Sequence, residues 1–210
     1  GMVGWPQAAA MSVALYLGLN PALQRRVDLD RLRVGSVSRA RSSGTGVGGK
    51  GQGAFLAARQ LAEAAGAAGE MEPPTPRLCM LLGSGREGDA LAELLVQRAG
   101  GVADPLLWAR VASPCRICTT LVESTGDATE VVEPSGAVTQ LEWVSLMRSL
   151  EEAGLARKAS GDGLPALGIL GTAPPGVPPD AYAQVIVRVC GPSTRVLVDS
   201  VVDVRRTLSA

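Results

Sequence analysis

Histidine is absent from this 210-residue chain, and with it go a Ser-His-Asp triad, an imidazole general base and most catalytic zinc sites. Any catalysis must therefore use carboxylates, Lys, Arg or backbone amides. Aromatic residues make up 3% of the sequence, which leaves few platforms for stacking bases. Net charge is missing too: twenty basic and twenty acidic residues cancel, so no broad field draws in nucleic acid or an anionic membrane surface, and neither is expected as a partner. The four cysteines, Cys79, Cys115, Cys118 and Cys190, are too few for a disulfide scaffold and point to a reduced compartment. Cys115-Arg116-Ile117-Cys118 has C-x-x-C spacing, but no second pair and no histidine can complete a tetrahedral zinc shell. It reads as two cysteines on one strand face, or partly buried. The apolar stretch Ala8 to Leu19 is too short to span a bilayer and has no basic n-region before it, so it reads as a buried first strand. With no targeting signal evident, the cytoplasm is the default location.

What is present is enough apolar material, 46% of residues, to build the core of a single domain. Short apolar runs alternate with helical patterns, the signature of an α/β domain with a mostly parallel sheet. The patterning predicts strands at Ser12 to Gly18, Leu78 to Leu82, Leu167 to Leu170 and Val196 to Asp199. It predicts helices at Gly51 to Ala65, Glu87 to Arg98, Leu141 to Ala153 and Ala181 to Cys190. Arg26 to Ala40, and Ile117 to Glu133 with a turn at Thr125-Gly126-Asp127, alternate apolar and polar residues like half-exposed strands of a small second layer. Gly69 to Pro76 and Arg157 to Pro165 read as surface loops.

The candidate site centres on Val47-Gly48-Gly49-Lys50-Gly51-Gln52-Gly53, a flexible glycine run leading into an alanine-rich helix. Glycine lets the backbone pass close to a ligand, and the first free N–H groups of the helix then face an anion or a sugar. Two better-known phosphate motifs fit incompletely. Gly44 to Lys50 matches most of a P-loop, but Gly51 stands where a Ser or Thr would hold Mg²⁺. Gly44-x-Gly46-x-x-Gly49 has dinucleotide-binding spacing, but the segment before it, Ser36 to Ser43, is polar where an apolar strand is required.

Several motifs in order then resemble one family. Leu19-Asn20-Pro21-Ala22-Leu23, Val27 to Leu32 with Gly35 and Arg39-Ala40, and Gly48-Gly49-Lys50-Gly51 look like the start of a PfkB/ribokinase-type carbohydrate kinase. Arg116 before an alternating strand, Thr129 to Pro134, Gly171 to Pro178 and Val198-Asp199-Ser200 continue the pattern. The likeness is to the hexose-phosphate branch, 1-phosphofructokinase and tagatose-6-phosphate kinase. It implies a ribokinase-like, Rossmann-type sheet flanked by helices, with a small β lid formed by strands within residues 26–40 and 115–133 that also clasps a homodimer in many relatives. It implies a sugar or sugar phosphate as ligand, with ATP and Mg²⁺ as cofactors. Gln24, Gly48, Gly49, Lys50, Gly51 and Gly53 would lie against the sugar, and Arg116 would approach its phosphate with a planar fork of donors.

Three departures mark this chain. Gln24 stands where the family usually has Asp, so an uncharged amide replaces a carboxylate acceptor. Gly53 stands where it usually has Asn, removing a side chain. The family's Asn-x-x-Glu and Gly-x-Gly-Asp motifs, which organise Mg²⁺ and carry the catalytic Asp, do not occur, and Gly85-Arg86-Glu87-Gly88-Asp89 has the wrong spacing. No catalytic residue is therefore assigned. The C-terminal part of the fold is expected to be missing, leaving an uncovered edge near Val196 to Asp199 in a fragment, a truncated product or a chain that leans on a partner. The expected function is that of an ATP-dependent hexose-phosphate kinase represented by its sugar-binding part. The alternatives are an inactive sugar-phosphate-binding or regulatory relative, and a fold relative with a structural role.

Overall fold

A computed structural model describes residues 13–68, 73–101, 103, 105–157 and 163–200. Five parallel strands form the main sheet: β1 (Val13–Leu17), β4 (Thr75–Ser84), β5 (Leu106–Pro114), β8 (Ala166–Leu170) and β9 (Arg195–Asp199), in the order β5-β4-β1-β8-β9. The chain steps outward from β1 to β4 and β5, then returns to the other side of β1 for β8 and β9. The strand order therefore reverses between β1 and β8. In open α/β sheets that switch point leaves a crevice at the carboxyl ends of the strands.

Two pairs of helices cover the sheet, α1 (Lys50–Ala67) and α2 (Gly85–Arg98) on one face, α3 (Gln140–Glu152) and α4 (Ala181–Val189) on the other. Strand β4 shows why its sequence is an unbroken apolar run. Leu78, Met80 and Leu82 meet Phe55 of α1 and Leu91 and Leu95 of α2, while Cys79 and Leu81 join the core of Trp143, Leu146 and Leu150 from α3. Strand β9 is the edge of the sheet among the described residues, with Leu197 65% and Val196 41% exposed, as the apolar edge expected there.

A second sheet has the order β3-β2-β6-β7, made of β2 (Ala22–Leu29), β3 (Ala40–Gly48), β6 (Ile117–Glu123) and β7 (Ala128–Val132). The β6–β7 hairpin falls as predicted, turning at Gly126 with φ 93°. The other half corrects the sequence reading. Arg26 to Ala40 is not one alternating strand: β2 ends at Leu29, a connection follows, and β3 begins at Ala40. The glycine run Val47 to Gly53 is likewise not a flexible loop: Val47 and Gly48 end β3, pairing with Leu23 and Ala22, and Lys50 to Gly53 form the first turn of α1, with Gly49 alone between them. The physical reason is that β3 is exposed over most of its length, so no alternation of apolar residues marks it. Strand β5 was also unpredicted; among the described residues it is a sheet edge, and it carries the exposed Arg110 within an otherwise apolar run. The loop expected from Gly69 gives way to β4 at Thr75, while residues 69–72 and 158–162 of the two expected loops, and Ser12 of the first strand, lie outside the described residues.

Helix α3 starts with a capping box. The Thr139 hydroxyl accepts from the Glu142 N–H, and the Glu142 carboxylate accepts from the Thr139 N–H at 2.7 Å and from the Ala112 N–H of β5 at 2.6 Å. These backbone donors hold the Glu142 carboxyl below its usual range. A depressed carboxylate contributes stability above its unfolded value, about 4.3, and loses it as pH falls through the lower folded value. Glu142→Gln is thus expected to lower the melting temperature at pH 7, and the difference from the parent should shrink as pH is taken below about 4. A difference independent of pH would contradict this account.

The start of α1 comes unusually close to the end of β1. A Cβ on Gly51 would overlap the Cα of Gly18, backbone against backbone, whereas one on Gly53 would meet nothing within 4 Å. Gly51→Ala is therefore expected to destabilise by about 1–3 kcal/mol through overpacking. Gly53→Ala should be neutral or stabilising by up to about 1 kcal/mol, since alanine suits a helix better than glycine. Thermal or urea melts of the two variants check the contrast.

Candidate functional site

At the switch point a cleft of about 580 Å³ opens between the carboxyl ends of β1 and β8 and the second sheet. Gly18 and Asn20 follow β1, Gly171 and Thr172 follow β8, and Gly49, Lys50 and Gln52 open α1. From the second sheet come Gln24 on β2, Arg116 and Cys118 at the start of β6, and Glu130 and Val132 on β7. Four of the seven residues expected at a sugar site thus share one cavity: Gln24, Gly49, Lys50 and Arg116. Gly48 and Gly51 are buried beneath it and shape the backbone without lining it. Gly53 is exposed on α1 and does not line the cleft.

Each side chain is held in a definite way. Gln24 donates from Nε2 to Thr120 Oγ1 at 2.6 Å, tying β2 to β6. Arg116 donates from Nη2 to the Asn20 carbonyl at 3.0 Å and from Nε to the Pro21 carbonyl at 3.4 Å, so its guanidinium also fixes the connection from β1 to β2. Lys50 pairs with Asp199 at the end of β9, Nζ lying 3.0 Å from Oδ2. Both side chains are more than half exposed, so this pair adds at most about 1 kcal/mol to stability. Gly49 precedes α1 with φ 107°, a conformation that favours glycine, and provides no side-chain cap.

Sequence reasoning left Asn20 and Thr172 without roles, although both lie in quoted motifs. Asn20 Nδ2 donates to Thr172 Oγ1 at 2.9 Å, and Ser135 Oγ donates to Asn20 Oδ1 at 3.0 Å. This network joins the ends of β1 and β8 to the segment after β7. Its signal was Asn20-Pro21 directly after a predicted strand. Glu130, on the exposed strand β7, offered no such signal, since only the pairing of Thr120 with Glu130 sets it over the cleft.

Cys118 lines the cleft and Cys115 lies beside it, both buried. Burial pushes both thiols up, and Cys79, within the core, up to about 12, so they are not thiolates near neutral pH. Among the described residues no group of three Cys, Asp or Glu side chains could hold a metal ion, and no helix is long and apolar enough to cross a membrane.

This arrangement defines a class: a parallel α/β domain whose second sheet stands at a polar cleft over the strand switch point. Comparison with known proteins gives that class its fold. No family model matches the chain, and no curated protein matches it. Among solved structures, the tetrameric inhibited form of phosphofructokinase-2 from Escherichia coli superposes with a TM-score of 0.71 at 22% identity, over 95% of this chain and 58% of that one. The same enzyme in complex with fructose-6-phosphate gives 0.68 at 21%, over 90% and 55%. A possible 1-phosphofructokinase from Thermotoga maritima gives 0.68 at 18%, over 94% and 57%, and a ribokinase from the same organism 0.51 at 16%, over 77% and 45%. The chain therefore has the ribokinase-like fold of these sugar kinases, and spans a little over half the length of the phosphofructokinases it resembles.

The network and the ion pair differ in what they hold together. Asn20→Ala removes the partner of the Thr172 and Ser135 hydroxyls, both of which water can reach, and is expected to cost about 0.5–1.5 kcal/mol of stability. Asp199→Asn should change stability by less than about 1 kcal/mol, and that small change should vanish at high salt. Denaturant melts at two salt concentrations measure both.

Proposed function

We propose that this chain is the sugar-binding part of an ATP-dependent carbohydrate kinase and that its ligand is a hexose phosphate, such as fructose 6-phosphate, fructose 1-phosphate or tagatose 6-phosphate. The observation that carries the reading is the gathering of Gln24, Gly49, Lys50 and Arg116 in one cleft at the switch point of a ribokinase-like sheet. Membership of the PfkB/ribokinase family follows from the same residues in the same order. A solved phosphofructokinase-2 complex with fructose-6-phosphate supports the ligand class.

In this reading Arg116 binds the phosphate already on the sugar, with Lys50 adding a second positive charge. The amides of Gln24 and Asn20 meet hydroxyls, and Gly48 and Gly51 let the backbone of the first α1 turn approach. Excluding bulk water between the two sheets strengthens each of these polar contacts. Among the described residues no group of three or more Cys, Asp or Glu side chains could hold a metal ion, and the 210 residues contain neither Asn-x-x-Glu nor Gly-x-Gly-Asp, so no residue of this chain is assigned to Mg-ATP. The second reading, a sugar-phosphate-binding relative without kinase activity, is favoured by the same observation and by Gln24. A homodimer through the exposed strands of the second sheet, where Val131 and Val132 are more than half exposed, accompanies either reading.

Thermal melting with millimolar ligands tests the reading, because a ligand that binds only the folded state raises its stability with occupancy. Hexose phosphates are expected to raise the melting temperature and Mg-ATP to leave it unchanged. Arg116→Lys, which loses the planar fork, should weaken the phosphorylated sugar by about ten- to a hundredfold and unphosphorylated fructose by much less, the smaller loss reflecting the Asn20 and Pro21 carbonyls that the guanidinium also holds. No shift with any hexose phosphate would overturn the proposal.

A further inference from the structure

Gln52 is the one buried polar or charged side chain among the described residues, at 1% exposure, and the sugar-site reading assigns it nothing. Its carboxamide is wedged between the end of β1 and the start of α1. Nε2 donates to the Gly18 carbonyl at 2.8 Å and lies 3.5 Å from Met80 Sδ. The space it fills is the space that side chains at two glycines would need: a Cβ on Gly49 would overlap Oε1, and one on Gly18 would lie 2.8 Å from Nε2 and 2.9 Å from Oε1. Gly18 and Gly49 are thus compatible with this amide because they lack side chains. A buried amide is costly unless its polar atoms find partners. The donor side is satisfied, yet no described residue donates a hydrogen bond to Oε1, and Gln52 is part of the cleft lining.

We propose that Gln52 is a second ligand-binding side chain of α1 beside Lys50, Oε1 accepting a hydrogen bond from a sugar hydroxyl while Nε2 stays anchored on Gly18. The chemistry selects the ligand group. Oε1 is an acceptor only, and an ionised phosphate has no proton to offer it, so its partner is a hydroxyl at the end of the sugar away from Arg116. Gly53, one residue further along α1, has no side chain and does not line the cleft, which leaves Gln52 as the amide that α1 presents to it. The inference rests on the sugar reading of this cleft.

The test is a titration of fructose 6-phosphate and its single-deoxy analogues into the parent chain and into Gln52→Met, which keeps length and removes the acceptor. In the parent, one analogue is expected to bind up to about tenfold more weakly than fructose 6-phosphate, the size of one neutral hydrogen bond. In Gln52→Met that one penalty should disappear while the penalties of the other analogues remain. A merely structural amide would weaken all the sugars alike or none of them, and either result overturns the proposal. Should Gln52→Met not fold, the side-chain amide resonances of Gln52 in the ¹⁵N-labelled parent decide. They should shift on adding fructose 6-phosphate, and resonances that stay fixed at saturation reject the contact. A parent chain that binds none of the sugars rejects the sugar reading itself, and this inference with it.

Discussion

The approach of helix α1 to the end of β1 is the constraint on which the rest of the structure depends. Gly51 and Gly18 touch backbone to backbone, and the Gln52 amide fills the gap beside them by donating to the Gly18 carbonyl. That contact seats the N-terminus of α1 at the strand switch point. It sets Lys50 within reach of Asp199 on β9, and it directs the chain back through Gly48 and Gly49 into the second sheet. A cleft with one floor and two walls follows from a single close packing that only small residues allow.

The cleft is balanced in charge. Lys50 is engaged by Asp199, Arg116 is held by the Asn20 and Pro21 carbonyls, and Glu130 reaches in from β7. A site of this kind does not attract polyanions in general. In the proposed reading its ligand carries one anionic group near Arg116 and neutral hydroxyls elsewhere, as a hexose phosphate does. The same balance is seen in the whole chain, whose formal net charge is zero.

Much of this was legible in the sequence, for physical reasons that differ from element to element. The four helices and the inner strands announce themselves because they bury apolar faces, as Leu78 to Leu82 and the α4 residues Val185, Ile186 and Val189 do. The exposed strand β3 did not, because a strand of Arg, Ser, Gly and Thr with little to bury has no period to read. Gln24, Lys50 and Arg116 could be placed at a common site through ordered motifs. Asn20, Thr172 and Glu130 required the fold, since their meeting depends on strands far apart in sequence. Gln52 required it most: an amide in an alanine-rich helix looks like a surface residue until the glycines around it are seen to make room.

The central claim is that the cleft between the two sheets is a hexose-phosphate site. A crystal structure of this chain grown with saturating fructose 6-phosphate tests it most directly. The account predicts density for the sugar between Gln24, Asn20 and Gln52, with its phosphate on Arg116. An empty cleft in such crystals, or the sugar bound elsewhere on the molecule, would contradict it.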